Sequence, residues 1–224
     1  MYAIIKRLGD LFLSIIVLLL LTPLLIPLFL ILRFTGEGEI FYRQKRIGYL
    51  NKPFDILKFA TMLKDSPNLG TGLLTLRNDP RVTPAGGFLR KTKINELPQV
   101  FNVLLGNMSV VGPRPLVEKN YLAYPDDIRE KIYLSKPGIT GIGSIIFRDE
   151  EFLISNTKEN PHDFYVNKIA PYKGALEIWY LTNKSFLTDF KIIFLTAWYI
   201  IFPKSTLVNR FFKSLPQKPS NLNA

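Results

Sequence analysis

From Leu11 to Leu32 the chain runs for twenty-two residues without a charge, bracketed by Asp10 and Arg33. That is long enough to cross a bilayer as a helix. The run exceeds a signal-peptide core and no small-residue cleavage pattern follows, so a removable leader is set aside. Two placements remain. A simple spanning helix follows from hydropathy. Against it, basic residues flank both ends (Lys6 and Arg7 before; Arg33, Arg43, Lys45 and Arg46 after), so charge gives no clear orientation. Thr22-Pro23 and Pro27 also interrupt the hydrogen-bond ladder mid-segment. A bend there would let the helix enter and leave by one face, with the Thr22 hydroxyl serving a freed carbonyl.

Beyond Gly36 the pattern shortens. Ile40–Gln44 and Phe54–Phe59 read as strands, with Gly48 and Asn51-Lys52-Pro53 at the turn. Residues 64–77, with Ser66-Pro67-Asn68 and two glycines, read as a loop. Leu97, Val100, Phe101, Leu104 and Leu105 recur at helical spacing, with Thr92 or Asn95 as cap, Pro98 in the first turn and Gly106 as stop. An amphipathic stretch follows over 116–124, and Asp126, Asp127, Arg129, Glu130 and Lys131 make a solvated helical face. Glu177–Pro203 is rich in aromatic and aliphatic residues. Asp189 and Lys191 interrupt it, which favours an interfacial helix over a second span, or for its first half a helix completing the core. Lys204, Arg210 and Lys213, with Phe211 and Phe212, suit an anionic headgroup layer. The polar last ten residues are expected to be disordered. The elements sum to an α+β chain: a membrane helix over 1–35, a globular domain with interfacial helices over 36–203, and a basic tail over 204–224.

Charge and composition narrow the chemistry. The absence of cysteine excludes disulfides and thiolate sites, and a single histidine, His162, in a polar stretch reads as a loop residue and leaves a zinc site without ligands. A net charge of +11 suits nucleic acid, an anionic membrane or phosphorylated substrates, and the apolar N-terminus favours the membrane. Around the central helix, Glu96 sits where a carboxylate is favoured by a helix N-terminus, crowded by Arg90, Lys91, Lys93 and Arg114. Arg114 is held between two prolines of fixed φ. One acid among several cations is a chemistry for phosphates, although the residues alone also read as a capped surface helix with solvated flanks. Lys58 ends a strand and either reaches a phosphate or is simply solvated. The Asp79–Arg81 pair either holds a turn or touches a ligand. Lys136–Gly143 is glycine-rich enough to offer backbone amides to a phosphate or sugar.

The order of these segments resembles the monotopic polyprenol-phosphate phosphoglycosyl transferases, the bacterial sugar transferases that begin glycan assembly on a lipid carrier. The resemblance rests on Lys58-Phe59-Ala60-Thr61-Met62, Asp79-Pro80-Arg81-Val82-Thr83, Leu89–Ser109, Gly112-Pro113-Arg114-Pro115 and Lys136–Gly141; it covers roughly residues 1–145 and resumes near 176–197. It implies a re-entrant N-terminal helix with its bend at Thr22-Pro23 and a site at the cytoplasmic face of the bacterial inner membrane. The implied reaction moves a sugar-1-phosphate from a UDP-sugar to polyprenyl (undecaprenyl) phosphate and releases UMP. Lys58, Arg81, Arg90, Lys91 and Arg114 would bind the substrates, and Glu96 would hold Mg²⁺, or Mn²⁺ in its place. No nucleic-acid motif accompanies the charge.

Three positions depart from the family pattern. Asn95 stands where the family has the aspartate that attacks the donor's β-phosphate, Asn107 where it usually has aspartate, and Ala60 where it often has arginine. After the glycines the family continues Trp-Ala-Gln, whereas this chain has Ile142-Gly143-Ser144. Three accounts follow: a non-catalytic membrane scaffold, direct transfer with no covalent intermediate, or a carboxylate supplied from Asp149, Glu150 or Glu151 in the place of Asn95.

Overall fold

The computed structural model describes residues 2–69 and 79–222 of the chain, a mixed helix and sheet architecture. The apolar N-terminal run forms one helix, α1 (Tyr2–Phe34), continuous through Pro23 and Pro27 and long and apolar enough to cross a membrane. The Thr22 hydroxyl does find a carbonyl, that of Leu18 at 2.8 Å. This is the ordinary back-bond of a helical threonine, one residue short of the Leu19 carbonyl orphaned by Pro23.

Both ends of α1 rest on the globular body. Near its start, Arg7 donates to the Val103 and Leu104 carbonyls at 2.6 and 2.9 Å, and the buried Asp10 carboxylate accepts from the Val110 N–H at 3.0 Å. Near its end, Leu28 and Leu32 pack with Phe59 and Leu89 in one buried cluster. Between these points most of the helix surface stays exposed, including Leu19, Leu20, Leu24 and Ile26.

β1 (Phe41–Ile47) and β2 (Pro53–Phe59) form the expected hairpin, antiparallel with Tyr42 opposite Lys58. Residues 64–69 are irregular apart from a turn at Ser66–Asn68, as expected of that loop; 70–77 lie outside the described residues. Then comes the first departure from expectation. The central basic segment is two short helices with a tight turn between them, α2 (Pro84–Lys91) and α3 (Gln99–Leu104). Neither Thr92 nor Asn95 caps the start of a helix; Thr92 instead closes the C-terminal end of α2. Thr83 caps α2 by accepting from the Gly86 N–H at 3.0 Å, while the Thr92 hydroxyl bonds back to Phe88. Lys93 takes a left-handed φ of 62°, and this reversal directs Ile94–Glu96 into a 3₁₀ turn. Gly106, at φ 87°, stops α3 as anticipated.

α3 buries Val100, Asn102 and Val103, while Phe101 and Leu105 face outward. Asn102 is the reason for this orientation. Its amide donates to the Asp55 carbonyl at 2.8 Å and accepts from the Leu57 N–H at 3.0 Å, fastening α3 to β2.

A second, parallel strand pair, β3 (Ser109–Val111) with β4 (Gly138–Thr140), encloses α4 (Glu118–Leu122) and α5 (Asp126–Ile132) in the chain between its strands. Short helices α6 (Ile142–Ile146) and α7 (Glu150–Ser155) follow. His162 is helical, in the first turn of α8 (Pro161–Phe164), because the Asn160 side chain caps that turn and Pro161 opens it. The histidine is exposed. A π-helical turn at Tyr165–Ile169 leads into α9 (Ala170–Asn183), and α10 (Phe186–Ile201), α11 (Leu207–Phe211) and a 3₁₀ turn at Ser220–Leu222 follow. The main core joins Tyr133, Ile142, Leu176, Tyr180, Ile192 and Leu195. The chain end is tied down in the described residues: Phe212 and Leu222 are buried in that same core, an apolar anchor that overrides the polar composition around it.

Candidate active site

Four separate segments deliver the site. β2 carries Lys58 at its end, the 3₁₀ turn carries Glu96, the loop after β3 carries Arg114, and β1 carries Arg46. The Glu96 Oε1 lies 3.0 Å from Arg114 Nη2 and 3.7 Å from Lys58 Nζ. The Glu96 and Lys58 side chains are each only 15 % exposed. Burial alone would raise the Glu96 carboxyl, but Arg114 and Lys58 beside it prevail and hold it well below the usual carboxylate range. Burial lowers the Lys58 ammonium to about 7; Glu96 opposes the fall, and Arg46, Arg114 and Arg90 deepen it. The Glu96 charge keeps the Arg114 guanidinium firmly protonated. Arg46 is lowered to about 10 by burial and by its neighbour Arg114.

Arg114 owes its position to more than its two prolines. The buried Tyr133 hydroxyl donates to the Arg114 carbonyl and accepts from the Leu116 N–H, both at 2.9 Å, so one phenol pins the loop on either side of Pro115. Arg46 adds a third tie through the Pro115 carbonyl at 3.3 Å, with Gln44 Oε1 2.6 Å from its Nη2. Tyr133, Arg46 and Asn102 were not legible as site residues: a tyrosine in a solvated-looking helix, an arginine in an alternating strand and an asparagine amid helix spacing each carry an ordinary local pattern.

Asn95 is buried beside Glu96, and its Oδ1 has no hydrogen-bond partner. Of the acidic run, Asp149 is exposed and Glu151 makes a long contact to Arg90 at 3.5 Å. Glu150 turns inward to the nearly fully buried Lys173 of α9, and its charge acts on Arg114. Lys91 is exposed and outside this cluster, as is Asn107. Arg81 serves the turn-holding half of its reading. It grips Asp79 through Nε at 2.8 Å and Nη2 at 2.6 Å, and donates to the Ser66 and Leu69 carbonyls at 2.7 Å.

The glycine-rich segment is largely folded into structure. The Gly138 N–H donates to the Pro113 carbonyl at 2.9 Å, and residues 138–140 are the strand β4, so this part of the loop is not an open amide cradle. Gly143 instead makes room for the buried Glu177 of α9, since a Cβ there would lie 2.3 Å from the Glu177 Oε1. Burial raises the Glu177 carboxyl to about 7, with Lys173 and the Arg114 backbone N–H opposing.

This is a nearly buried cluster of cations organised on one ionised carboxylate. It has the charge to take a diphosphate and the rigidity to orient it. The bacterial sugar transferase family matches residues 1–203, and the similarity to individual members agrees. The chain belongs to that family. It is 34 % identical over 206 residues to the undecaprenyl-phosphate galactose phosphotransferase of Salmonella typhimurium, covering 86 % of this chain and 39 % of that protein. It is 37 % identical over 198 residues to the UDP-glucose:undecaprenyl-phosphate glucose-1-phosphate transferase of Klebsiella pneumoniae, with 86 % and 39 % covered. With the exopolysaccharide production protein ExoY of Sinorhizobium fredii the identity is 35 % over 205 residues, with 85 % and 83 % covered. The chain thus spans about two fifths of the first two relatives and most of the third.

Proposed function

We propose that this family member transfers a sugar-1-phosphate from a UDP-sugar to undecaprenyl phosphate, releasing UMP, at the cytoplasmic face of the bacterial inner membrane. The observation that carries the reading is the clasp of Glu96 by Arg114 and Lys58 on the same body that holds a membrane-length helix. A soluble nucleotide and a lipid phosphate meet only at headgroup depth. Two phosphate-bearing substrates call for several fixed cations there, and Arg46, Lys58, Arg90 and Arg114 supply them.

The topology that fits is re-entrant, with α10 at the interface. Asp10 and Leu28 are about 27 Å apart along a straight helix at 1.5 Å per residue, close to the thickness of the hydrocarbon layer. Both touch the same globular body. A spanning α1 would drag α3 and β3, with their loops, into hydrocarbon, where exposed backbone groups have no partners. A shallow α1 bent at Thr22-Pro23 keeps that body in water and leaves its exposed aliphatic face to lipid.

For the metal, the donor set is thin but suitable. Among the described residues no group of three potential ligands gathers. Mg²⁺ commonly uses one or two carboxylates with substrate phosphates and water. Glu96 would hold Mg²⁺, or Mn²⁺, against the donor diphosphate, and the preceding Asn95 has a buried Oδ1 without a hydrogen-bond partner. When bound, the ion would neutralise charge developing on the leaving nucleotide.

Glu150 is the attacking group in this reading, since of the acidic run it turns inward, to Lys173 of α9, and its charge is felt at Arg114. Its carboxylate oxygen bonds to the donor's β-phosphorus while the phosphoanhydride bond breaks and its electron pair leaves with UMP. A lipid phosphate oxygen then attacks the same phosphorus, breaks the carboxyl–phosphate bond and restores Glu150. The test is UMP release by detergent-purified protein from a panel of UDP-sugars, with and without undecaprenyl phosphate and Mg²⁺. Full UMP release is expected only with acceptor and metal both present. No turnover with any donor overturns the reading and favours a membrane-anchored scaffold.

A further inference from the structure

On the far side of α9 lies a second cationic feature. Lys173 and Glu177 face the candidate active site, whereas Trp179, about 200° further around the helix than Glu177, faces an open cavity of about 410 Å³ between α9, α10 and the segment through α11. Lys191, Arg210 and Lys213 line it, and among the described residues no acidic one does. Among the described residues none of the three is in an ion pair. The walls are built. Phe211 stacks on Phe194 at 5.8 Å, Phe212 meets Trp179 edge-on at 5.2 Å, and the Trp179 indole N–H donates to the Ser214 hydroxyl at 3.1 Å. These contacts hold Arg210 and Lys213 opposite Lys191, which lies over the Phe212 ring at 5.8 Å.

One edge of this polar cavity is apolar. Leu187 lines it and is 60 % exposed, and Phe186 and Phe190 on the same stretch of α10 are as open to solvent. Three uncompensated cations behind an exposed apolar rim match an amphiphile with a phosphate at its head. We propose that this cavity is a binding site for the phosphodiester headgroup of an anionic phospholipid, with the acyl chains over Leu187, Phe186 and Phe190. It would fix the depth and tilt of the body at the membrane, separately from catalysis. The site rests on the interfacial placement of α10 and not on the reaction at Glu96.

Trp179 is a built-in reporter, and Trp198→Phe leaves it as the chain's one tryptophan. The full chain in a neutral detergent would be titrated with short-chain phosphatidylglycerol, phosphatidylcholine or inorganic phosphate while indole emission is followed. Phosphatidylglycerol should give a saturable change at a concentration at least tenfold below phosphatidylcholine. Lys191→Gln, Arg210→Gln and Lys213→Gln should each weaken it by about fivefold, and the triple variant by about a hundredfold. UMP release in detergent should be unchanged in all of them. Equal responses to the two lipids, or undiminished binding in the triple variant, would overturn the proposal. So would saturation by inorganic phosphate at the same concentration as phosphatidylglycerol, which would make this a site for free phosphate. If the triple variant melts early by circular dichroism, the exposed single replacements at Arg210 and Lys213 carry the test.

Discussion

Lys58 makes the pH dependence of the reaction a direct probe of the site. Its ammonium is lowered to about 7 because it is buried, and three neighbouring guanidiniums add to the fall. In the free protein it is therefore half charged near neutrality, and above that each pH unit removes about nine tenths of the charge that remains. If the protonated form is what meets the donor diphosphate, kcat/KM for the UDP-sugar should fall about tenfold per pH unit above 7, since this parameter reports the free enzyme. Donor phosphates favour the ammonium, so the fall in kcat should begin at a higher pH. Lys58→Arg keeps its charge throughout this range and should abolish the alkaline fall, whatever its absolute rate. The assay is UMP release at saturating acceptor between pH 6 and 9. The same alkaline fall in the arginine variant would refute the assignment. Stability gives the converse sign. Between pH 7 and 10.5 the unfolded chain holds a proton that the folded chain lacks, so stability should rise with pH across that window. At about 1.4 kcal/mol per unit the full rise is a few kcal/mol. Lys58→Met should remove it in thermal melts.

Other changes test other joints of the structure. Glu96→Gln should lower UMP release by at least a hundredfold, the usual scale for losing a preorganised electrostatic group, while the protein still sediments with membranes; residual activity within tenfold of the native protein would remove Glu96 from the site. Glu150→Gln should abolish turnover with little change in melting temperature, whereas Asp149→Asn should be silent; full activity of Glu150→Gln would leave direct transfer beside Asn95. Asn102→Ala removes two bonds to β2 and leaves backbone groups unpaired, so it should cost about 2–4 kcal/mol, read as a lowered melting temperature. Cysteines placed near residues 3 and 218 should be labelled from the same side of sealed vesicles by an impermeant thiol reagent; labelling from opposite sides would defeat the re-entrant placement.

Much of the frame was readable from periodicity. The apolar helix, the hairpin and the glycine stop at 106 each follow from local rules that tertiary structure did not need to override. The central segment was harder, because its break depends on Lys93 in a left-handed turn, a conformation that a lysine does not advertise. Glu96, Lys58 and Arg114 were nameable from charge and from the order of motifs. Their mutual distances were not, since they come from three segments whose approach is set by buried groups elsewhere. Tyr133 and Asn102 are those groups. Each is a polar side chain bonding to backbone two or more elements away, and no spacing rule reports that. Arg81 shows the limit of a motif read alone: a basic residue beside an acidic one suits a turn or a ligand equally, and here its guanidinium bonds to Asp79 and two carbonyls.

The same buried bonds explain how membrane depth and chemistry are coupled. In lipid a helix gains nothing from burying leucine against protein rather than acyl chain, so apolar contact alone does not fix where α1 sits. Polar contacts do. Arg7 takes two carbonyls at the C-terminal end of α3, and Asp10 takes the Val110 N–H of β3. α3 is fastened through Asn102 to β2, whose next-to-last residue is Lys58, and β3 runs directly into the Arg114 loop. A shift of α1 by one turn would break both sets of bonds and move the two cations that clasp Glu96. The helix that would set the protein's height in a bilayer is thus mechanically continuous with the groups that would meet the donor phosphates. On the proposed function, an acceptor phosphate held at headgroup level would approach a site whose depth is fixed by the same few hydrogen bonds.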